Sequence, residues 1–102
     1  MTYLDDLLKP KDRSFQSDNT GFIAVDSPII LNINNTLGTN AITGEIICDG
    51  PGDILIDWSI NGNTYNGNLR LKQNEKFLLK GLSVHSIKLT WASNSAYRVF
   101  AS

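Results

Sequence analysis

Cysteine is nearly missing from this chain. Cys48 is the only one in 102 residues, so no intramolecular disulfide can form and the core must hold without a covalent staple. Set between Ile47 and Asp49 at a strand end, it reads as a small buried hydrophobe rather than a reactive thiol. Histidine is as scarce: His85 stands alone beside Val84, with no cysteine at metal-ligand spacing. A zinc site would need several more soft ligands, so a structural histidine is expected. Charge of one sign is lacking too, because nine Lys and Arg offset ten Asp and Glu and no run of like charge occurs. Without a basic stripe, no nucleic-acid partner is expected.

Long apolar runs are absent, and none approaches the roughly 20 residues that a membrane helix needs. Asp5 and Asp6 stand where a signal peptide would carry positive charge, so neither secretion nor membrane insertion is expected. No glycine-rich nucleotide loop and no pair of carboxylates in distinct environments is visible. Asp49, Asp53 and Asp57 resemble an acidic cluster, but no Glu completes a calcium loop and a turn with solvated carboxylates is the better reading. Asn34-Asn35-Thr36 matches the glycosylation sequon, a short pattern that needs a secretory route to matter. No catalytic residue, metal or cofactor is therefore assigned, and the chain is not expected to be an enzyme.

What is present is alternation. From Ile42 to Phe100 the chain reads as short apolar-alternating runs separated by Asn and Gly turns, with no helical period between them. In residues 53–60 Ile54, Ile56, Trp58 and Ile60 point one way, and Leu55, Asp57 and Ser59 the other. Asn61-Gly62 predicts a type I′ hairpin turn into a partner strand over 64–71, and Gln73-Asn74 a second tight turn. Phe77 and Leu79 then face inward, as do Ile87, Leu89 and Trp91, and finally Tyr97 and Val99.

Nearer the start, Phe22, Ala24, Ile29, Leu31 and Ile33 suggest two strands meeting at Ser27-Pro28. A long polar loop with Asn32, Asn34, Asn35, Gly38 and Asn40 follows. Gly44 leaves room for a bulge in the strand of Ile42, Ile46 and Cys48. The whole predicts an all-β, antiparallel two-sheet sandwich, Ig-like or jelly-roll-like, with an extended N-terminal arm. Trp58 and Trp91 fall on inward parity and are expected in the core. Tyr65 is the aromatic expected to escape it.

The first twenty residues differ from the rest. Thr2 can cap a single helical turn that Pro10 ends, with Tyr3, Leu4, Leu7 and Leu8 as its apolar stripe. Residues 9–20 carry charge and turn formers, with Phe15 as the lone apolar anchor. The expected division is an arm over 1–20 and a sandwich domain over 21–102. Tyr3, Leu4, Leu7, Leu8 and Phe15 are the candidate partner-binding residues, with strand addition at unpaired sheet edges as a second mode of contact.

The closing pattern, a turn at GLSVHS followed by IKLTWASNSAYRVFAS, resembles the ends of small β-sandwich virion proteins of tailed bacteriophages. The likeness covers the last 20 to 50 residues. It implies a capsid decoration or cement protein on the capsid surface, assembled in the host cytoplasm. Such a protein bridges subunits of the major capsid protein, as a homo-oligomer that can be a trimer. The alternatives are a carbohydrate- or receptor-binding module of a phage tail or baseplate, and a host-directed factor such as an enzyme inhibitor.

Overall fold

A computed structural model describes residues 14–102. Eight strands run in chain order: β1 (Phe15–Phe22), β2 (Ile29–Asn32), β3 (Gly44–Cys48), β4 (Ile54–Ser59), β5 (Asn66–Leu71), β6 (Lys76–Leu78), β7 (Ser86–Trp91) and β8 (Ser95–Ala101). A 3-10 turn at Ala24–Asp26 and one short helix, α1 (Ile33–Leu37), interrupt them. Two antiparallel sheets result, in the orders β1-β8-β3-β6 and β2-β7-β4-β5, which is the two-sheet sandwich that the alternation predicts.

The strand order follows from one rolled ribbon. Pairs β1:β8, β2:β7, β3:β6 and β4:β5 are those of a single long hairpin folded between β4 and β5. Rolling that ribbon brings β3 against β8 and β4 against β7, the two further pairings observed. This is jelly-roll topology, and it settles the choice against the immunoglobulin order.

The core lies between the sheets. Ile46, Cys48, Ile54, Ile56, Ile87, Leu89 and Ala101 are all fully buried, and Tyr97 and Val99 nearly so. Removing an Ile or Leu side chain from water contributes about 1.5–3 kcal/mol. Phe22 meets Tyr97 edge-on at 6.1 Å, and Trp58 of β4 stacks on Phe77 of β6 at 5.0 Å, which closes one side of the sandwich. The Cys48 thiol is buried against the Gly52 carbonyl and the Ser95 hydroxyl.

Several expectations are corrected. Ile60 lies beyond β4 and is 63% exposed, whereas Ser59 is fully buried. Its hydroxyl accepts from Gly62 N at 2.8 Å, while the Asn61 side chain accepts from Asn63 N and Thr64 N. Those side-chain bonds build a loop over 60–65, and Asn61 is not among the positive-φ residues that a type I′ turn requires. Gly44 pairs with Ala101 in a regular register; the irregularities fall instead at Ser17–Thr20 in β1 and between Asn66 and Leu69 in β5, opposite Ile56 and Trp58 of an unbroken β4. The stretch expected as a polar loop contains α1, capped by the Asn32 side chain on Asn35 N and ended by left-handed Gly38. Of the two tryptophans, Trp58 is half-buried against the core, and Trp91 stands at a strand end, exposed. Tyr65 does escape the core, as expected: it is half-buried outside the core cluster, with the Lys88 ammonium 6.0 Å from its ring centroid.

Candidate functional site

Register assembles the most distinctive surface. Gln16 pairs with Phe100, Phe100 with Glu45, and Glu45 with Leu78, so these four residues form one row across all four strands of the first sheet. Their neighbours Tyr97, Val99, Ile46 and Ala101 face inward, so strict alternation turns this row outward. Phe100 and Leu78 are large apolar side chains left 46% and 56% exposed. Arg98, Ile47 and Lys76 make the adjacent row. Gln16, Asp18, Glu45, Ile47, Arg98 and Phe100 line a depression of about 270 Å³ in this face.

The charges of the face are organised around Arg98. Its Nε donates to both carboxylate oxygens of Asp49, at 2.9 and 3.1 Å. This hydrogen bond, followed by the charge of Asp49 and then those of Glu45 and Asp18, holds the guanidinium pKa above its ordinary value. Lys76 reaches Glu45 at 3.6 Å. The bulge in β1 forms the rim: Ser17 and Thr20 share a hydroxyl hydrogen bond of 2.8 Å, and Thr20 also donates to the Asp18 carbonyl. Carrying polar residues at both its inward positions, the bulge turns Asp18 toward Arg98.

Of the five residues expected to dock a partner, Phe15 alone is described. It sits in β1 opposite Ala101, half-buried and packed against the core, so only part of its ring is free for contact. Tyr3, Leu4, Leu7 and Leu8 lie outside the described residues. The expected boundary between residues 20 and 21 falls within β1. The outward parity of Phe100 and Leu78 is legible in the sequence, and their alignment in one row is not. Phe100 and Leu78 carried the signal, because each stands on the wet parity of its strand where a polar residue is the rule.

Strand addition meets obstacles at every edge. β1 and β5 are each interrupted by a register shift, β2 is four residues long and β6 three. Bulges and short edges are the means by which sheets avoid pairing with another chain.

The acidic trio is dispersed. Asp49 serves Arg98, Asp53 pairs with Arg70 at 3.0 Å, and Asp57 accepts from Asn68 N at 2.7 Å. Among the described residues no group of three or more His, Cys, Asp or Glu is placed to hold a metal ion. His85 Nδ1 lies 2.6 Å from the Ser86 hydroxyl, which is buried between the paired ends of β4 and β7 and so is not presented to a substrate. No helix among the described residues is long and apolar enough to cross a membrane.

A second exposed cluster lies at the end of the sandwich that carries the β1–β2 and β7–β8 connections. Val25 is 84% exposed in the 3-10 turn. Trp91 donates its indole N–H to Asn94, and its backbone N–H is held by Ser27.

The fold and this surface define a jelly-roll sandwich with one mixed apolar and charged outer face. Comparison of the chain with protein families, curated proteins and solved structures finds no match.

Proposed function

We propose that the chain works by adhesion, as a decoration or cement protein of a tailed-phage particle. In this reading the outer face of the β1-β8-β3-β6 sheet and the N-terminal segment contact the major capsid protein. The observation that carries the adhesive role is the row that leaves Phe100 and Leu78 exposed together on one face. Covering the Phe100 ring and the Leu78 methyls contributes only about 1–3 kcal/mol per copy. Such contacts suffice when a lattice holds many copies, or a homo-oligomer such as a trimer, because each further contact becomes intramolecular. The particle setting is supported by the resemblance of the closing strands and, by analogy of fold alone, by the use of jelly rolls in capsid and lectin domains.

The test follows the protein through gradient-purified tailed-phage particles, from lysates that contain it. Wild type is expected to travel with particles in hundreds of copies, and the double variant Phe100→Ser/Leu78→Ser to lose at least ten-fold in occupancy. Absence of the wild-type chain from particles overturns the reading. A second reading, a carbohydrate-binding module of the tail, draws on exposed Trp91 with the Asn94 amide beside it. Aromatic faces with adjacent amides stack on sugar rings, so a glycan array in which Trp91→Ala abolishes binding would favour it.

A further inference from the structure

The tripeptide Asn-Gly-Asn occurs twice, at residues 61–63 and 66–68. In an Asn-Gly pair the backbone nitrogen of the glycine can attack the asparagine side chain, because glycine has no Cβ to obstruct the closing ring. With the same three residues in each, the two copies have like reactivity in an unfolded chain. The fold makes them different.

At the first copy both reacting groups are engaged. The Asn61 side-chain oxygen accepts from Asn63 N at 2.8 Å, from Thr64 N at 2.9 Å and from the Ser59 hydroxyl at 3.1 Å. Gly62 N, the atom that would attack, donates to the hydroxyl of fully buried Ser59 at 2.8 Å. Ring closure therefore requires the Gly62 bond to break and the Asn61 side chain to leave its turn. The second copy is built otherwise. Asn66, Gly67 and Asn68 are all exposed at the start of β5, which is an edge strand of its sheet. The ladder shifts between Asn66 and Leu69, where Gly67 and Asn68 have φ of +120° and +47°. Among the described residues no side chain holds the Asn66 amide or Gly67 N, and Asp57 accepts from Asn68 N instead. Packing fixes the glycine, since a Cβ on Gly67 would run into the Trp58 ring. An exposed edge with an interrupted ladder is where a sheet opens locally at least cost.

We propose that Asn66-Gly67 is a site of spontaneous, backbone-assisted deamidation and that the fold protects Asn61-Gly62 from the same reaction. Gly67 N passes its proton to solvent hydroxide and bonds to Asn66 Cγ, and the side-chain nitrogen leaves as ammonia with a proton taken from water. One water molecule then opens the succinimide. Opening at the side-chain carbonyl leaves aspartate at position 66, and opening at the main-chain carbonyl leaves isoaspartate; no atom is oxidised or reduced. Either product adds a negative charge near Asp57, and isoaspartate also inserts a methylene into the main chain opposite Trp58. The β5 edge thus carries a slow, one-way change, on the sheet that does not hold the adhesive face.

Incubation of the full chain in mildly alkaline buffer, followed by mass spectrometry of chymotryptic peptides, tests it. Cleavage after Tyr65 separates the two sites, and electron-transfer fragmentation distinguishes aspartate from isoaspartate. In the folded protein Asn66 is expected to convert at least about ten-fold faster than Asn61, because a single retained hydrogen bond accounts for a factor of up to about ten. In urea the two rates should become similar. Ser59→Ala, which releases Gly62 N, should speed conversion at Asn61 and leave Asn66 at its wild-type rate; if that variant unfolds, the wild-type rates in buffer and in urea decide alone. Equal rates at the two sites in the folded protein, faster conversion at Asn61, or no conversion at Asn66 while the urea-unfolded chain reacts overturns the proposal. An Asn61 rate unmoved by Ser59→Ala in a chain that still folds overturns the protection assigned to Ser59.

Discussion

Gly44 shows how one residue positions the outward row. Its φ is +131°, and a Cβ there would run into the Phe100 carbonyl oxygen and stand 2.7 Å from the Ala101 Cα. β3 can lie this close to β8 only without a side chain. Gly81 has a comparable positive φ of +86° with open space around it. Gly44→Ala is therefore expected to cost about 2–4 kcal/mol and Gly81→Ala about 1 kcal/mol, read from urea midpoints at constant slope. Equal losses would show that backbone conformation alone, and not the close approach, sets the cost. Tyr97 supplies a pH dependence. Burial first, and the charge of Asp26 second, raise its phenol above the ordinary 10.0. The native state thus keeps the proton that the unfolded chain gives up near 10, so stability is whole below that pH and falls as pH rises above it. Tyr97→Phe should flatten this alkaline loss in denaturation curves taken between about pH 9 and pH 11. A variant curve that falls as steeply as wild type would assign the loss to another group.

At the scale of elements, β1 is the strand whose sequence conceals it. Phe15 and Phe22 are apolar at its two ends, but Ser17 and Thr20 take the inward places between them and satisfy each other through hydroxyls. Period-two hydrophobicity therefore disappears in the middle, and residues 15–20 read as arm. Pairing with β8 predicts different outcomes for two truncations. Removing residues 1–13 leaves every described strand intact and should shift stability by at most about 1 kcal/mol. Removing residues 1–20 strips most of β1, uncovers Val99 and Ala101 and bares the β8 edge, so a loss of about 3 kcal/mol or more is expected. Thermal unfolding of the two truncated chains measures both; equal stability would show that β1 contributes nothing to the sheet. α1 was hidden for another reason. Asn32 as cap, Ile33 and Leu37 four apart on one face and Gly38 as stop are all visible in the sequence, but five residues are too few for a helix to stand without the core beneath it. Asn61-Gly62 carried a strong turn signal, yet the buried Ser59 hydroxyl captured Gly62 N and the connection took another shape.

At the scale of the whole molecule, alternation along β4, β7 and β8 made the sandwich legible before any coordinates. Ile54, Ile56, Ile87, Leu89, Tyr97 and Val99 all face the core that their parity assigns them. Side-chain parity is a local property, set by the pleat of each strand, and so the sequence by itself determined the inward faces of β4, β7 and β8 and that no intramolecular disulfide closes the fold. Which strand lies beside which is a different matter. β1 joins β8 and β4 joins β7 across most of the chain or tens of residues, and nothing in a short alternating run distinguishes one distant partner from another. The jelly-roll order over the immunoglobulin order, the row that aligns Gln16, Phe100, Glu45 and Leu78, and the gathering of Asp49, Glu45 and Asp18 around Arg98 were decided only in the tertiary structure. The physical reason is that burial fixes the face of a strand locally, while the choice of neighbour depends on how the entire ribbon rolls to enclose its core.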